Sequence, residues 1–561
     1  MRRARLAAAL LVAAVLLAGC SEIPTTGPVQ AGATQEPNGT SIDYLPNPPV
    51  AGSSPREIVN GFVAAASAGG RFTVAKQYLT SGFAAKWRPL RGVLVQEAQP
   101  TLAVTGTGGT SDISLTVPIT ARVGSDGVYT PSAKPAKLSF HLVQEGGEWR
   151  IDRADDGIVL PPTAFQKLYR PQPLQFFDQT WTRLVPDLRW FFVSSSSAGS
   201  APSTRSIVDE LIAGPVGAVG TGVTVNSLSS ATVQGIGPAT TDVTTVTLTV
   251  PESDQRVELT ARMQQQLIQS LNLPTPGSLR LVVNSRVVPP VKALVGQSPL
   301  PVAYVVSSSG FGTLSSAGAF TADGTLGRRI VAAHPQAVTI SPSQGLAAVQ
   351  TTSRQVAVVT LAATRVVDTR PGVIAPTVDQ RGWVYSVPTD SPSGLQASDA
   401  KGHTVALFAN LPGTSVTSVE ASPDGTRMLV LVATNAGPEA FVAGIQRSAD
   451  GAPTGLTTVQ YPVDLGGNTG TGIGATWVDD GSVAVLVTAP DGSTDRVRLQ
   501  QLGGTGSSLA DIPGAASIVG TSDTSDLRIR LTTGELLVSN DQPWHQESAS
   551  APKVSVLAVQ R

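Results

Sequence analysis

Four turns of one kind recur along the C-terminal half of the chain: Ser341-Pro342-Ser343-Gln344-Gly345, Asp379-Gln380-Arg381-Gly382, Ser422-Pro423-Asp424-Gly425 and Asp479-Asp480-Gly481, with Ser525-Asp526 following. Their glycines are 37, 43 and 56 residues apart, and each turn precedes a short apolar strand: Leu346–Val349, Trp383–Tyr385, Met428–Val432 and Val483–Val487. A repeat of roughly 40–50 residues carrying short strands is the signature of propeller blades. Over about 260 residues it predicts five to seven blades in a ring that leaves only short edges. The longest interval is assigned to an insertion around Asn435–Glu439. Two stacked β-sandwiches are the alternative arrangement.

The rest of the composition agrees with a multidomain, mostly β chain. The 561 residues include Gly 56 and Pro 42, and only 14% are charged, with Lys+Arg 39 against Asp+Glu 40. Turns and short strands use such residues; long helices do not. No basic field is present to hold nucleic acid, so none is expected as a partner. One Cys and four scattered His cannot close a Cys/His zinc site or a disulfide framework.

The single cysteine has a distinctive position. Arg2, Arg3 and Arg5 precede the apolar run Leu6–Leu17, which ends in Leu17-Ala18-Gly19-Cys20. This is the layout of an export signal over residues 1–19, and its apolar run is too short for a membrane span of about 20 residues. The last four residues resemble a bacterial lipobox. That resemblance implies cleavage between Gly19 and Cys20, an S-diacylglyceryl group on Cys20 and an N-acyl chain (a palmitate) on its new amino terminus. Two or more chains give a stable anchor where one gives a marginal one. The mature chain is therefore expected at the cell membrane, lipid-anchored on the extracytoplasmic face. Residues 20–53 are rich in Pro and Gly and read as a solvated stalk.

A helix is predicted from Ser54, where a capping hydroxyl is followed by Pro55 and by Glu57 three places on; Val59, Phe62, Val63 and Ala66 form its apolar stripe, and Gly69-Gly70 ends it. A second helix is expected over Thr73–Leu79. The alternating Ile113, Leu115, Val117, Ile119, Ala121 and Val123, then Leu138, Phe140 and Leu142, then Gly147–Ile151, predict an antiparallel sheet. Helices laid across a curved sheet resemble the cone-shaped NTF2-like α+β fold, assigned to residues 54–160. Residues 161–186 read as a proline-bearing linker. From 187 to 297 the pattern is a strand (Asp187–Val193), a helix stopped at Ile212-Ala213-Gly214-Pro215, a strand (Val246, Leu248, Val250) and a helix whose stripe is Leu259, Met263, Leu267 and Leu271, with Gln264 and Gln265 on other faces. The strand Leu279–Val283 closes it. This order resembles the GerMN α+β domain. Residues 298–561 are the β-propeller.

Catalytic patterns do not assemble. His141, His334, His403 and His545 occupy separate neighbourhoods without ligand-spaced partners, so no metal site is assigned. Asp155-Asp156 and Asp479-Asp480 resemble acid/base pairs, but each precedes Gly, where Asp stabilises a turn. Gly466-Gly467-Asn468-Thr469-Gly470 lacks the Lys-Ser/Thr of a phosphate loop, and neither Ser194–Ser200 nor Ser307–Gly310 forms a nucleophile elbow. Asn38-Gly39-Thr40 matches a glycosylation pattern by chance. No catalytic residue and no cofactor is assigned.

Lipobox, stalk, NTF2-like unit, GerMN-like unit and propeller, in that order, resemble the LpqB lipoprotein family of high-GC Gram-positive bacteria. The resemblance implies a non-enzymatic accessory of a two-component system. Such a protein binds the extracellular domain of a sensor histidine kinase and modulates signalling in cell-wall homeostasis and division; only Cys20 carries over as a functional residue. The alternatives are a module binding a peptidoglycan fragment or small molecule, and a propeller enzyme with carboxylates or histidines clustered at its central channel.

Overall fold

A computed structural model describes residues 46–560, apart from 71, 106–108, 133, 194–200, 221, 241–242, 292–300, 316–317, 342–344, 468, 522, 540–543 and 548–551. The export signal, the Gly19–Cys20 junction and the stalk as far as 45 lie outside the described residues, as does the Ser194–Ser200 segment. No helix among the described residues is long and apolar enough to cross a membrane.

The first helix is Pro55–Ser67, and its start is the expected capping box: the Glu57 amide donates to Ser54 Oγ at 3.4 Å while the Ser54 amide donates to the Glu57 carboxylate at 2.7 Å. Val59, Phe62 and Ala66 are buried and Val63 packs at their edge. The second expected helix is shorter, a 3-10 turn Ala75–Tyr78 followed by Ser81–Ala84.

The predicted sheet is two sheets. One runs Tyr129–Pro131, Ile119–Gly124, Gly92–Gln96, Ile158–Leu160, and the other runs Thr101–Thr105, Thr110–Val117, Ala136–Glu145, Glu148–Ala154. The alternating residues from Ile113 to Val123 do form one buried face, but Pro118 interrupts the ladder between Val117 and Ile119, and the chain passes there from one sheet to the other. Proline has no N–H to pair, so a ladder breaks at it. The pairing is mixed too, because Ile158–Leu160 lies parallel to Gly92–Gln96.

Residues 161–186, expected as a linker, are regular structure. Helix Pro162–Leu168 leads into strand Tyr169–Asp178, which pairs antiparallel with Leu184–Phe192 over nine residue pairs. The prolines misled because their positions all share one edge. Pro171 and Pro173 alternate with Gln175, whose amide turns away from the hairpin to donate to Ser270 Oγ at 2.8 Å. Their missing donors fall on that same edge and cost the hairpin nothing. Tyr169 and Trp190 pack into the N-terminal core, whereas Leu174, Phe176 and Phe191 pack into the next one. The hairpin therefore belongs to two cores.

In the middle unit, Ser203 caps helix Thr204–Ala213, and Gly214 with φ 98° ends it before Pro215. The sheet order is Thr232–Thr240, Val243–Thr249, Leu279–Val283, Arg286–Val287. Helix Val257–Ser270 crosses between two parallel strands of this sheet, Val243–Thr249 and Leu279–Val283. Met263 and Leu267 face the core as expected, but Gln264 and Gln265 are buried as well, together with Gln266. The helix is covered on a second side: Gln264 Oε1 accepts from the Val291 amide at 2.9 Å, and the Gln266 carboxamide binds Ser227 and Asn226.

The C-terminal domain is a β-propeller of six four-stranded blades among the described residues. The ring closes on its own terminus. Strand Val554–Gln560 pairs antiparallel with Val302–Ser307 to complete the first blade and touches the second through a parallel pairing, Thr339↔Val559. All six blades line one central cavity, the third through Ala375 and Pro376 just before its inner strand Thr377–Val378, which excludes two stacked sandwiches. The 56-residue interval reflects long strands, not an insertion at Asn435–Glu439. Arg427–Thr434, Gly437–Arg447 and Pro453–Val463 are long, and Thr434↔Gly437 pairing leaves a two-residue turn.

Candidate functional site

The histidines remain apart. His141 Nδ1 lies 2.7 Å from Asp112 Oδ1, with Asp152 3.9 Å from its other nitrogen; His403 pairs with Asp399 at 3.0 Å in an exposed turn, and His545 lies on an outer blade strand. Among the described residues, no three His, Cys, Asp or Glu side chains are arranged to hold a metal ion. Asp155 and Asp156 accept backbone amides of Ser139 at 3.2 Å and Arg88 at 2.8 Å. Asp479 accepts from Gly481 at 2.6 Å, as turn chemistry predicts.

The propeller's central cavity, about 300 Å³, is lined mainly by small and apolar side chains, with Glu420 and Arg530 as its ionisable residues. Glu420 is committed to structure: its carboxylate accepts the Trp477 amide at 3.1 Å, and its backbone carbonyl accepts the Trp477 indole at 2.9 Å. A catalytic propeller needs several convergent acid, base or metal-binding groups. Among the described residues, this cavity presents one carboxylate and one guanidinium.

The dense polar chemistry is at the blade turns, where it joins domains. Asp379 is fully buried and accepts from the Arg381 amide at 2.9 Å, the Trp383 amide at 3.0 Å, the Tyr385 hydroxyl at 2.8 Å and the Arg447 guanidinium. Burial, then the neighbouring Asp379 charge, drives the Tyr385 hydroxyl well above its ordinary pKa, so it stays a donor. Arg447 also donates to the Gly425 carbonyl at 2.9 Å, tying this turn to the next. There Asp424 pairs with Arg427, and Arg427 reaches the Asp480 carbonyl in the following turn. Burial pushes the Asp424 carboxyl up, but Arg427 and the hydroxyls of Ser422 and Thr426 outweigh it and hold it below the ordinary value.

Asp155 and Asp156, which bind amides 16 and 68 positions away instead of their own turn, depart from the turn reading, and so does Asp480. Its Oδ1 is buried without a hydrogen-bond partner, and burial, then the Asp424 charge, pushes its carboxyl up to about 7. Nothing in the Asp-Asp-Gly sequence distinguishes it from Asp479; only the position of Arg427 and Asp424 in the neighbouring blade does.

From this row of turns, Arg381 and Gln380 reach the bridging hairpin. Arg381 donates to Asp178 at 2.8 Å and to Thr180 at 2.9 Å, and Arg183 donates to Gln380 at 3.4 Å. A second contact centres on the buried pair Asp187–Arg189, 2.7 Å apart. Arg189 donates to the Asp126 carbonyl of the first domain at 2.7 Å, while Asp187 accepts the Val216 amide at 3.2 Å and the propeller's Tyr461 hydroxyl at 3.2 Å. Trp190 Nε1 donates to the Gly503 carbonyl at 2.8 Å. Gly444 lets the backbone at Ala218 approach so closely that a Cβ would sit 2.0 Å from its carbonyl oxygen. One hairpin thus fixes three domains. Sequence reading passed over it because the partners lie up to 313 positions apart.

The model for the N-terminal domain of lipoprotein LpqB matches residues 48–166, and that for the lipoprotein LpqB beta-propeller domain matches residues 311–552. Among similar proteins, lipoprotein LpqB of Cutibacterium acnes is 37% identical over 187 residues, 32% of this chain and 31% of that protein. Lipoprotein LpqB of Nocardia farcinica is 32% identical over 228 residues, 39% of this chain and 37% of that protein. The matched stretches span about a third of these curated relatives. Among solved structures, TolB from Acinetobacter baumannii aligns with a TM-score of 0.32 at 12% identity, covering 47% of this chain and 68% of that one. A chain of the nidogen/laminin complex aligns with a TM-score of 0.34 at 9% identity, covering 46% and 98%.

Proposed function

Since this chain belongs to the LpqB lipoprotein family, we propose that it is a non-catalytic accessory protein, anchored through acylated Cys20 on the extracytoplasmic face of the cell membrane. There it binds the extracellular domain of a two-component sensor histidine kinase and modulates signalling in cell-envelope homeostasis and division. The observation that carries this reading is the double contact made by hairpin Tyr169–Phe192. Its buried ionic groups, Asp178 with Arg381 and Asp187 with Arg189, are spent on holding domains in register. A fixed composite surface suits recognition of another protein, because less conformational freedom is lost on binding. Within the expected stalk of residues 20–53, the Tyr78 hydroxyl donates to the Asn47 carbonyl at 2.8 Å and the Gly52 amide to Glu148 at 2.9 Å, so its reach is that of residues 20–45, about 26 residues, at roughly 5–6 Å × √n, or about 30 Å. Such a reach suits contact with a membrane receptor's outer domain.

Two experiments test the proposal. Co-purification of the full chain with the intact kinase ectodomain is expected to show saturable binding, and its absence removes the partner. Cys20→Ala is expected to move the chain out of the membrane fraction; unchanged fractionation with cleavage still occurring overturns the anchor.

A further inference from the structure

The first domain contains a cavity of about 550 Å³ between helix Pro55–Ser67 and the strand ends of both sheets. Its size falls in the range of roughly 300–1,000 Å³ typical of small-molecule sites. The floor is apolar, with Phe62, Val63, Val93, Leu138, Phe140 and Ile158 prominent. An interior left open to this extent forfeits dispersion contacts along its lining, which an apolar ligand body would restore. Four charged residues also line the cavity: Arg122, Lys137, Asp155 and Asp156.

These four are not equivalent. The carboxylates are engaged by the chain itself, Asp155 by the Ser139 amide and Asp156 by the Arg88 amide. Arg122 and Lys137 are exposed and, among the described residues, have no ion-pair or side-chain hydrogen-bond partner. Arg122 follows from the strand's alternation: Ala121 and Val123 enter the core, so the residue between them points outward. An apolar floor beside two uncommitted cations complements a molecule with an apolar body and an anionic head. A neutral ligand would leave the cations unused, and a cationic one would have only Asp155 and Asp156, each already accepting a chain amide, to meet it.

We propose that this cavity binds a single-chain amphiphile with an anionic head, its tail among Phe62, Leu138 and Phe140 and its head at Arg122 and Lys137. This goes beyond the accessory role and does not depend on it. The head could be a carboxylate or a phosphate ester, so the experiment carries both.

Isothermal titration of the full chain as Cys20→Ala, which removes any acyl group of its own, would use dodecanoate, dodecyl phosphate, dodecanol and dodecyltrimethylammonium below their micelle concentrations. One or both anions are expected to bind saturably at one per chain, and their relative affinity identifies the head. Dodecanol is expected to bind about tenfold more weakly, the loss of a charge-assisted contact. The surface double variant Arg122→Ala/Lys137→Ala is expected to lower anion affinity by at least about tenfold with an unchanged melting curve. Leu138→Trp fills the cavity and is expected to abolish binding of every probe. No saturable binding, equal binding of dodecanol, or full affinity in the double variant overturns the proposal.

Discussion

The Arg381 guanidinium donates to Asp178 at 2.8 Å across 203 positions of sequence, joining a propeller blade turn to the hairpin that links the other two domains. The two residues are not equally exposed: the Asp178 side chain is 3% accessible and that of Arg381 is 28%. Asp178 also accepts the amides of Thr182 at 2.7 Å and Arg183 at 2.8 Å, so it organises its own loop as well as the contact.

Asp178→Ala should therefore cost more than Arg381→Ala. Removing the arginine leaves a carboxylate with two amide donors, at about 1 kcal/mol. Removing the carboxylate orphans those amides and a half-buried guanidinium, at about 3 kcal/mol. Urea unfolding of both variants measures the difference, and equal costs would contradict this division of roles.

Gly444→Ala tests the second contact. Its Cβ would lie 2.0 Å from the Ala218 carbonyl oxygen, a backbone atom with little room to move. A loss of about 1–3 kcal/mol is expected. Gly235→Ala, whose Cβ meets nothing within 4 Å, should stay within about 0.5 kcal/mol. Thermal melts of the pair decide whether backbone approach, rather than glycine loss in general, is responsible.

Much of this architecture was legible because its signals are local. The Ser54–Glu57 cap, the Ile113–Val123 alternation and the Asp-Gly blade turns each depend on neighbours a few positions away, and each appears where the pattern put it. What escaped depends on distant partners. Gln264 reads as a surface residue until the chain at Val291 covers it. Pro171 and Pro173 read as linker until the free edge beside Gln175 is known. Asp479 and Asp480 read alike until Arg427 approaches one of them. The N-terminal cavity is formed by one helix and strand ends scattered from Phe62 to Val159, and no stretch of sequence marks an empty volume.

Closure of the propeller depends on Val554–Gln560. Ala558 is 1% exposed and pairs with Tyr304, so Ala558→Asp puts an unpaired carboxylate at the ring's seam. A cost above about 4 kcal/mol is expected, with loss of the cooperative transition. Ser555→Asp, on the same strand but lining the open channel, should be far milder. Circular dichroism melts of the two would separate closure from a general intolerance of charge in this strand.

The raised carboxyl of Asp480 makes stability depend on pH in an unusual direction. Its folded-state value of about 7 lies above the ordinary carboxylate value of 3.8. Between these two values the folded chain keeps a proton that the unfolded chain has released, so this group's contribution to stability falls as pH rises from about 4 to 7. Asp424 has the opposite sign: its lowered value gives stability present above about pH 4 and lost in stronger acid. Asp480→Asn keeps the shape and removes the titration. It should be more stable than the parent by about 1–2 kcal/mol at pH 8, with the gain shrinking toward pH 4.5. Urea midpoints of parent and variant from pH 4.5 to 8 test this, and a difference independent of pH would show that burial of Asp480 does not govern the window.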